Sequence, residues 1–365
     1  MSERTSSSGE RLAKVEAAAE AAQAAEAEAP PQSRVLALLR TPTTMTLGAL
    51  LAIIVAFTAL AWGTFNQSSN FIQLAQNVAI LTVVSVGTTF VVITAGVDLS
   101  IPSGIVLGEV FTVQALKLVK RGDGTTAVDV AADQTKTGYI LVALAGALLA
   151  GLIIGAINGV VVGYLKVPPL LATLGTLGAG LGAALILQHG VNTATYALDP
   201  VGHGSWIPGV PNLIPIALVV VIGGFVLLHM AVFGRHTFAI GSNPEAARRA
   251  GINVERHLLK VYLIGGVTAG FAGFLSVAYF STTSTAGHST DNLQAITAVA
   301  LGGTSLFGGV GSIIGTLIGV WIPAVLKNGF VITGVQPYWQ DVSVGLVLIV
   351  AVWFDQLRRR SRDRG

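Results

Sequence analysis

Long apolar runs separated by short polar interruptions dominate this chain. A helix crossing a bilayer needs about 20 mostly apolar residues. Runs of that order fall at 45–65, 71–95, 103–119, 139–165, 170–188, 213–233, 260–282, 312–332 and 341–356, with a shorter apolar segment at 293–301. The pattern predicts an all-α integral membrane protein, a polytopic helical bundle of about ten spans. The stretches 96–140 and 285–310 leave open whether one span is re-entrant. Residues 1–40 read as a low-complexity, Ala/Glu-rich cytosolic tail without an apolar stripe to dock it. Residues 41–357 form the membrane domain, and 358–365 a basic cytosolic tail.

Composition supports the membrane reading through the placement of charge. Of 365 residues, 52% are hydrophobic and 11% charged, against about 25% in soluble domains; the mean hydropathy is +0.73. Between Met45 and Leu116 the only acids or bases are Asp98 and Glu109. The net charge of +3 comes from basic residues at helix ends and termini, which argues for membrane topology rather than nucleic acid. With no cysteine there is no thiolate metal site or thiol nucleophile. His189, His203 and His288 are scattered over loops without ligand spacing, so no metal site is expected.

Arginine and lysine set the expected orientation. Arg34 and Arg40 precede the first run, Arg358, Arg359, Arg360, Arg362 and Arg364 follow the last, and Arg235, Arg248, Arg249, Arg256 and Lys260 fill the 235–260 loop. An even number of spans puts all three on the cytosolic side with both termini. The 189–212 loop, free of Lys and Arg, falls outside. One loop conflicts: 117–136 would be external yet holds Lys117, Lys120, Arg121 and Lys136.

Within 235–260, Ser242-Asn243-Pro244-Glu245 matches a capping box with proline in the first turn, and Gly251 supplies a left-handed stop. Between them lies a helix of about two turns, including Ala246, Arg248 and Arg249. A helix that short is marginal alone in water. It either lies on the bilayer surface or inserts into a cytosolic partner and relays motion to the membrane bundle.

Four stretches resemble the membrane permease subunits of ABC importers for ribose, xylose and related sugars. They are Gly96-Val97-Asp98-Leu99-Ser100; the loop Gly241 to Asn253; Gly302-Gly303-Thr304-Ser305-Leu306 with Gly308-Gly309-Val310-Gly311; and Tyr338-Trp339-Gln340. The resemblance spans roughly residues 40–357. It implies a type II-like ABC importer permease in which Ser242, Asn243, Pro244, Glu245, Ala246, Arg248, Arg249 and Gly251 form the coupling helix seated on an ATP-hydrolysing subunit. It also implies a second permease copy, an extracytoplasmic sugar-binding protein, and ATP with Mg on the partner rather than any cofactor here. Two departures bear on the substrate. Ile101-Pro102-Ser103-Gly104 follows Asp-Leu-Ser, and Asn292-Leu293-Gln294-Ala295-Ile296-Thr297-Ala298 carries amides where the family often has carboxylates.

Candidate path residues are the polar groups of the apolar runs: Asp98, Ser100, Asn158, Asn292, Gln294, Thr304 and Ser305. A charge in the bilayer is costly, so Asp98 either starts a helix with Ser100 and Pro102 or contacts solute; Glu109 is equally ambiguous. Gly151, Gly155, Gly159 and Gly163 form a small-residue stripe at four-residue spacing, as do Gly311, Gly315 and Gly319, and such stripes let helices pack backbone to backbone. Setting Gly96 on Gly303 gives a faint parallel repeat, with Gly104 on Gly311 and Gly108 on Gly315. None of the seven lysines follows a glycine, so a Walker A loop is excluded. The chain reads as a transport subunit, not an enzyme. An ion-coupled carrier, or an ABC permease for nucleosides or branched-chain amino acids, is the alternative.

Overall fold

The computed structural model describes residues 42–362; the expected 1–40 tail lies outside the described residues. Twelve α-helices of six residues or more follow one another: α1 (Pro42–Leu60), α2 (Ser68–Ile93), α3 (Ile101–Leu118), α4 (Thr137–Gly163), α5 (Pro169–Gln188), α6 (Leu213–Phe225), α7 (Val232–Ser242), α8 (Pro244–Arg249), α9 (Val254–Phe280), α10 (Asp291–Leu301), α11 (Ile313–Ile332) and α12 (Pro337–Arg362). No strand occurs among the described residues. A wide π turn, Val226–Met230, extends α6.

Eight of these helices, α1 to α6, α9 and α11, are long and apolar enough to cross a membrane. The other two expected spans differ in kind. At 11 residues α10 is roughly 16 Å long, half of the ~30 Å hydrocarbon layer. In α12 the apolar stretch is Tyr338–Trp353, and the helix runs on to Arg362, so the first residues of the expected 358–365 tail belong to it. The protein is thus a polytopic all-α membrane bundle with one half-length helix.

Loop contacts sort the helix ends onto two faces. The Thr195 hydroxyl donates to the Val128 carbonyl and Thr135 to that of Tyr196. Thr193 and Thr195 exchange backbone hydrogen bonds with 281–283. Loops 119–136, 189–212 and 281–290 therefore share one face. The Lys166 turn and α8 share the opposite one, because the end of α4 at Gly163 packs on Glu255 at the start of α9. Arg121 is partly neutralised by Asp123 at 3.3 Å and bonds Gln134. Hydrogen bonds from the Thr125 hydroxyl and amide hold the Asp123 carboxyl below its ordinary range. The basic 117–136 loop thus stands with the other loops of its face, with no re-entrant span before it.

α2 and α9 are the most enclosed spans. α9 packs so closely on α4 that backbone meets backbone. A Cβ added at Gly155 would lie 2.5 Å from the Tyr262 carbonyl oxygen and 2.9 Å from Leu263 Cα; Gly151 faces Gly266, Gly159 faces Leu259, and Gly163 faces Glu255. α3 approaches the next side of α9 through Gly108 against Gly270. On α11, Gly315 and Gly319 abut Gly302 and Ala298 of the α10 segment. Gly311 is not part of that helical stripe: it precedes α11, whose N-cap is Ser312, and packs on the Ile93 side chain.

Gly155→Leu has no space to enter between two backbones, and overpacking of this kind costs roughly 1–3 kcal/mol or more. Its detergent-solubilised form is expected to melt several degrees lower than the parent. Gly175→Ala, which meets nothing within 4 Å, should melt at or above the parent temperature.

Candidate functional site

Two helix hairpins meet inside the bundle, each interrupted by a turn between antiparallel helices. The first interruption, residues 94–100, separates α2 from α3; the second, 302–312, separates α10 from α11. The chain can turn here because Ala95 has φ 58°, and Gly303, Gly308 and Gly309 have φ 86°, 86° and 77°. Left-handed backbone suits glycine and strains most other residues, so Ala95 is a held exception. The Gly309 amide donates to the Ile93 carbonyl at 2.9 Å, which supplies a partner at the frayed end of α2.

The first interruption is built on a buried polar chain. One Asp98 carboxylate oxygen accepts the Ser100 amide (2.8 Å) and hydroxyl (2.5 Å). The Asn158 amide on α4 donates to the Ser100 hydroxyl at 2.7 Å, and its carbonyl accepts the Thr176 hydroxyl of α5 at 2.7 Å. Thr173, one turn earlier on α5, accepts from the Leu99 amide and donates to the Val97 carbonyl. Asp98, Ser100, Asn158 and Thr173 are all nearly inaccessible. Asp98 thus orders the turn into α3, whose N-cap is Ser100 with Pro102 in the first turn.

The remaining candidate path residues are placed differently. Asn292 on α10 reaches the Leu99 carbonyl at 3.4 Å and so touches the network through backbone. Gln294 turns to Thr290 instead, at 3.1 Å. Thr304 and Ser305 close the second interruption on itself: the Thr304 hydroxyl accepts the Ser312 amide, and the Ser305 amide bonds the Val310 carbonyl. Thr173 and Thr176 escaped the sequence reading because threonines on an apolar helix are common. Their three-residue spacing was the available signal.

The short helix of the 235–260 loop is present as α8. Its N-cap is Asn243, whose side chain accepts the Ala246 amide at 2.9 Å. Ser242, expected as the cap, is instead the last residue of α7. The expected box fails because Pro244 begins the helix one residue nearer Glu245 than a serine cap requires. Gly251 ends α8 with φ 83°, its amide on Arg248 and that of Ile252 on Ala247. Only Ala247 of α8 is buried, against Ile240 and Val254. Pro244, Glu245, Ala246, Arg248, Arg249 and Ala250 are exposed. Arg248 is engaged by Glu255 at 2.8 Å.

α7 connects α8 to both interruptions. A Cβ at Gly241 would overlap the Ile93 carbonyl oxygen and stand 2.6 Å from the Gly309 nitrogen; one at Gly309 would meet the Ser242 hydroxyl at 2.5 Å. Thus the residues just before α8 rest on the end of α2 and on the 302–312 turn. Such a contact carries displacement without a compliant side chain between. The two interruptions match in order, helix–turn–helix, but not in register: α3 begins five residues after Gly96 and α11 ten after Gly303.

A membrane bundle whose exposed capped helix rests, through α7, on the turns of two buried hairpins fits a transport permease. The chain belongs to the family described as branched-chain amino acid transport system / permease component, whose model matches residues 70–352. It is 34% identical over 314 residues to the ribose import permease protein of Escherichia coli K12, covering 85% of this chain and 92% of that one. The fructose import permease protein of Rhizobium meliloti is 31% identical, over 87% of this chain and 86% of its own. The galactose/methyl galactoside import permease protein of Escherichia coli K12 is 32% identical, over 85% and 93%. No solved structure matches this chain.

Asn158→Leu removes two side-chain hydrogen bonds, to the Ser100 hydroxyl and from the Thr176 hydroxyl, each worth about 0.5–1.5 kcal/mol. Thermal unfolding in detergent should shift down for Asn158→Leu. Adding Thr176→Val should lower the melting temperature less than it does in the parent, because the Asn158–Thr176 bond is already gone.

Proposed function

We propose that this chain is the membrane subunit of an ATP-driven importer, working as two copies on ABC ATPase subunits and passing a small sugar delivered by an extracytoplasmic binding protein. The observation that carries the reading is the backbone junction of Gly241 with Ile93 and Gly309, which joins α8 to both hairpin turns. An exposed helix held by a single buried alanine has surface to spare for a docked partner. ATP and Mg belong to that partner, so this chain does no chemistry of its own.

In this reading α8 and both termini face the cytosol of a bacterium, and loops 119–136, 189–212 and 281–290 face outward. Relatives named for ribose, fructose and galactose at comparable identity support a monosaccharide, a pentose among the choices, over nucleosides or branched-chain amino acids. Sugar choice then rests mainly with the binding protein. Asp98, Ser100 and Asn158 hold the interruption in shape beside the path, with Asn292 touching the same turn, whereas Gln294, Thr304 and Ser305 support α10 and its turn.

Coupling is tested at α8. Glu245 and Arg249 make no ion pair among the described residues, so Glu245→Lys and Arg249→Glu leave internal contacts intact. Each is expected to insert normally, to lose co-purifying ATPase, and to reduce ATP-dependent uptake in proteoliposomes at least tenfold. Gly241→Ala should keep the ATPase bound yet uncouple hydrolysis from uptake. Solute uptake driven by an ion gradient without any ATPase would overturn the proposal.

A further inference from the structure

A second buried polar cluster lies away from the interruptions, where α3, α9 and α10 converge. Glu109 of α3 is fully buried. One of its oxygens accepts the Ser276 hydroxyl of α9 at 2.7 Å and faces His288 Nε2 at 2.9 Å; the other accepts the Ser284 amide at 2.7 Å. The other ring nitrogen of His288, Nδ1, lies 2.7 Å from an Asp291 carboxylate oxygen at the first residue of α10. Each nitrogen of one ring therefore meets a carboxylate, a geometry that an imidazolium satisfies by donating twice. The two carboxylates are the charged groups facing the ring; α9 contributes only the uncharged Ser276. Burial pushes the His288 pKa down, but the hydrogen bonds and charges of Asp291 and Glu109 outweigh it and raise the value to about 10. The charge, and the hold it gives, is fully present below about 6.5 and lost as pH rises through 10.

The position of this cluster gives it a task. α10 is half-length, with its C-terminal end running into the 302–312 turn that rests on Gly241 and its N-terminal end at Asp291. Glu109 ties the 281–290 loop through Ser284, and His288 ties Asp291 to Glu109. We propose that the Glu109–His288–Asp291 triad is a latch that pins the N-terminal end of α10 to α3 and α9, releasing α10 only when the 281–290 loop is displaced. His288 and its carboxylates are then positioning residues for transport. The proposal rests on the importer reading, which supplies the outward face of that loop.

The chain has no cysteine, so Ala295→Cys, at a fully buried α10 position, is its sole thiol and reports exposure of α10. The full chain is placed in lipid nanodiscs and labelled with a hydrophilic maleimide. In the latched background labelling should be slow; Glu109→Gln or His288→Gln should accelerate it at least tenfold, and the milder Asp291→Asn should act in the same direction. Raising the pH through 10 should accelerate the latched form more than the variants, whose labelling rises only as the thiol ionises. Retained melting temperature with unchanged labelling in all three variants overturns the latch. If Glu109→Gln fails to fold, Asp291→Asn and the pH arm decide. Adding the ATPase subunit and ATP tests the importer reading separately. A labelling rate that responds to nucleotide in the latched form but not in the variants supports both. No nucleotide response in the latched form, with the variants still accelerated, rejects the importer reading and keeps the latch. A merely structural triad would accelerate labelling only in step with a lowered melting temperature and leave the parent's pH dependence of labelling in the variants.

Discussion

Inside a hydrocarbon layer every peptide group needs a partner from the protein itself, and the two buried hairpin turns are where this fold strains that requirement. At residues 94–100 the amide of Leu99 and the carbonyl of Val97 are served by one threonine hydroxyl, Thr173. The carbonyl of Ile93 is served by Gly309 from the other interruption. The interruptions therefore support each other, and the neighbouring helices are arranged around that exchange. α4 and α5 bring Asn158, Thr173 and Thr176 to the first turn; α7 ends against both.

The close packing of α9 follows from the same need for proximity. Hydrogen bonds of about 2.7 Å between side chains on α3, α4 and α5 require helix axes drawn together, and glycine on both sides of the α4–α9 contact permits it. Without an apolar driving force between helices in lipid, such backbone contact is the main source of cohesion. That explains why the glycines concentrate where α9 meets α3 and α4, while several glycines of α5 face open space.

Much of this was legible in the sequence. Eight of the apolar segments map onto spanning helices within about six residues at either end because span length is set by the bilayer, a constraint independent of tertiary detail. α8 was legible for a different reason: Pro244 and Gly251 are local signals that act through backbone geometry. The cap itself was misplaced by one residue, since Ser242 and Asn243 are both competent and tertiary contact at Gly309 draws Ser242 into α7. Gly311 was assigned to a helix because four-residue spacing continues across a boundary that Ser312 imposes. His288 was set aside for lacking ligand spacing along the chain, yet its partners are Glu109, far upstream, and Asp291. The pairing with Glu109 is long-range and leaves no local pattern, whereas Asp291 stands three residues on.

The polar chain at Asp98 also has a consequence for how the protein is made. Asp98 and Ser100 leave the ribosome well before Asn158, Thr173 and Thr176, and the Gly309 that completes the end of α2 comes later still. The α2–α3 pair therefore enters the membrane with its carboxylate bonded only by Ser100 and with loose peptide groups at Ile93, Val97 and Leu99 whose partners are not yet synthesised. During that interval it must stay sheltered from lipid, beside the insertion machinery or near water, until later helices arrive. Biogenesis of this chain is thus a delayed assembly, in which insertion of the early helices and their final burial are separate events.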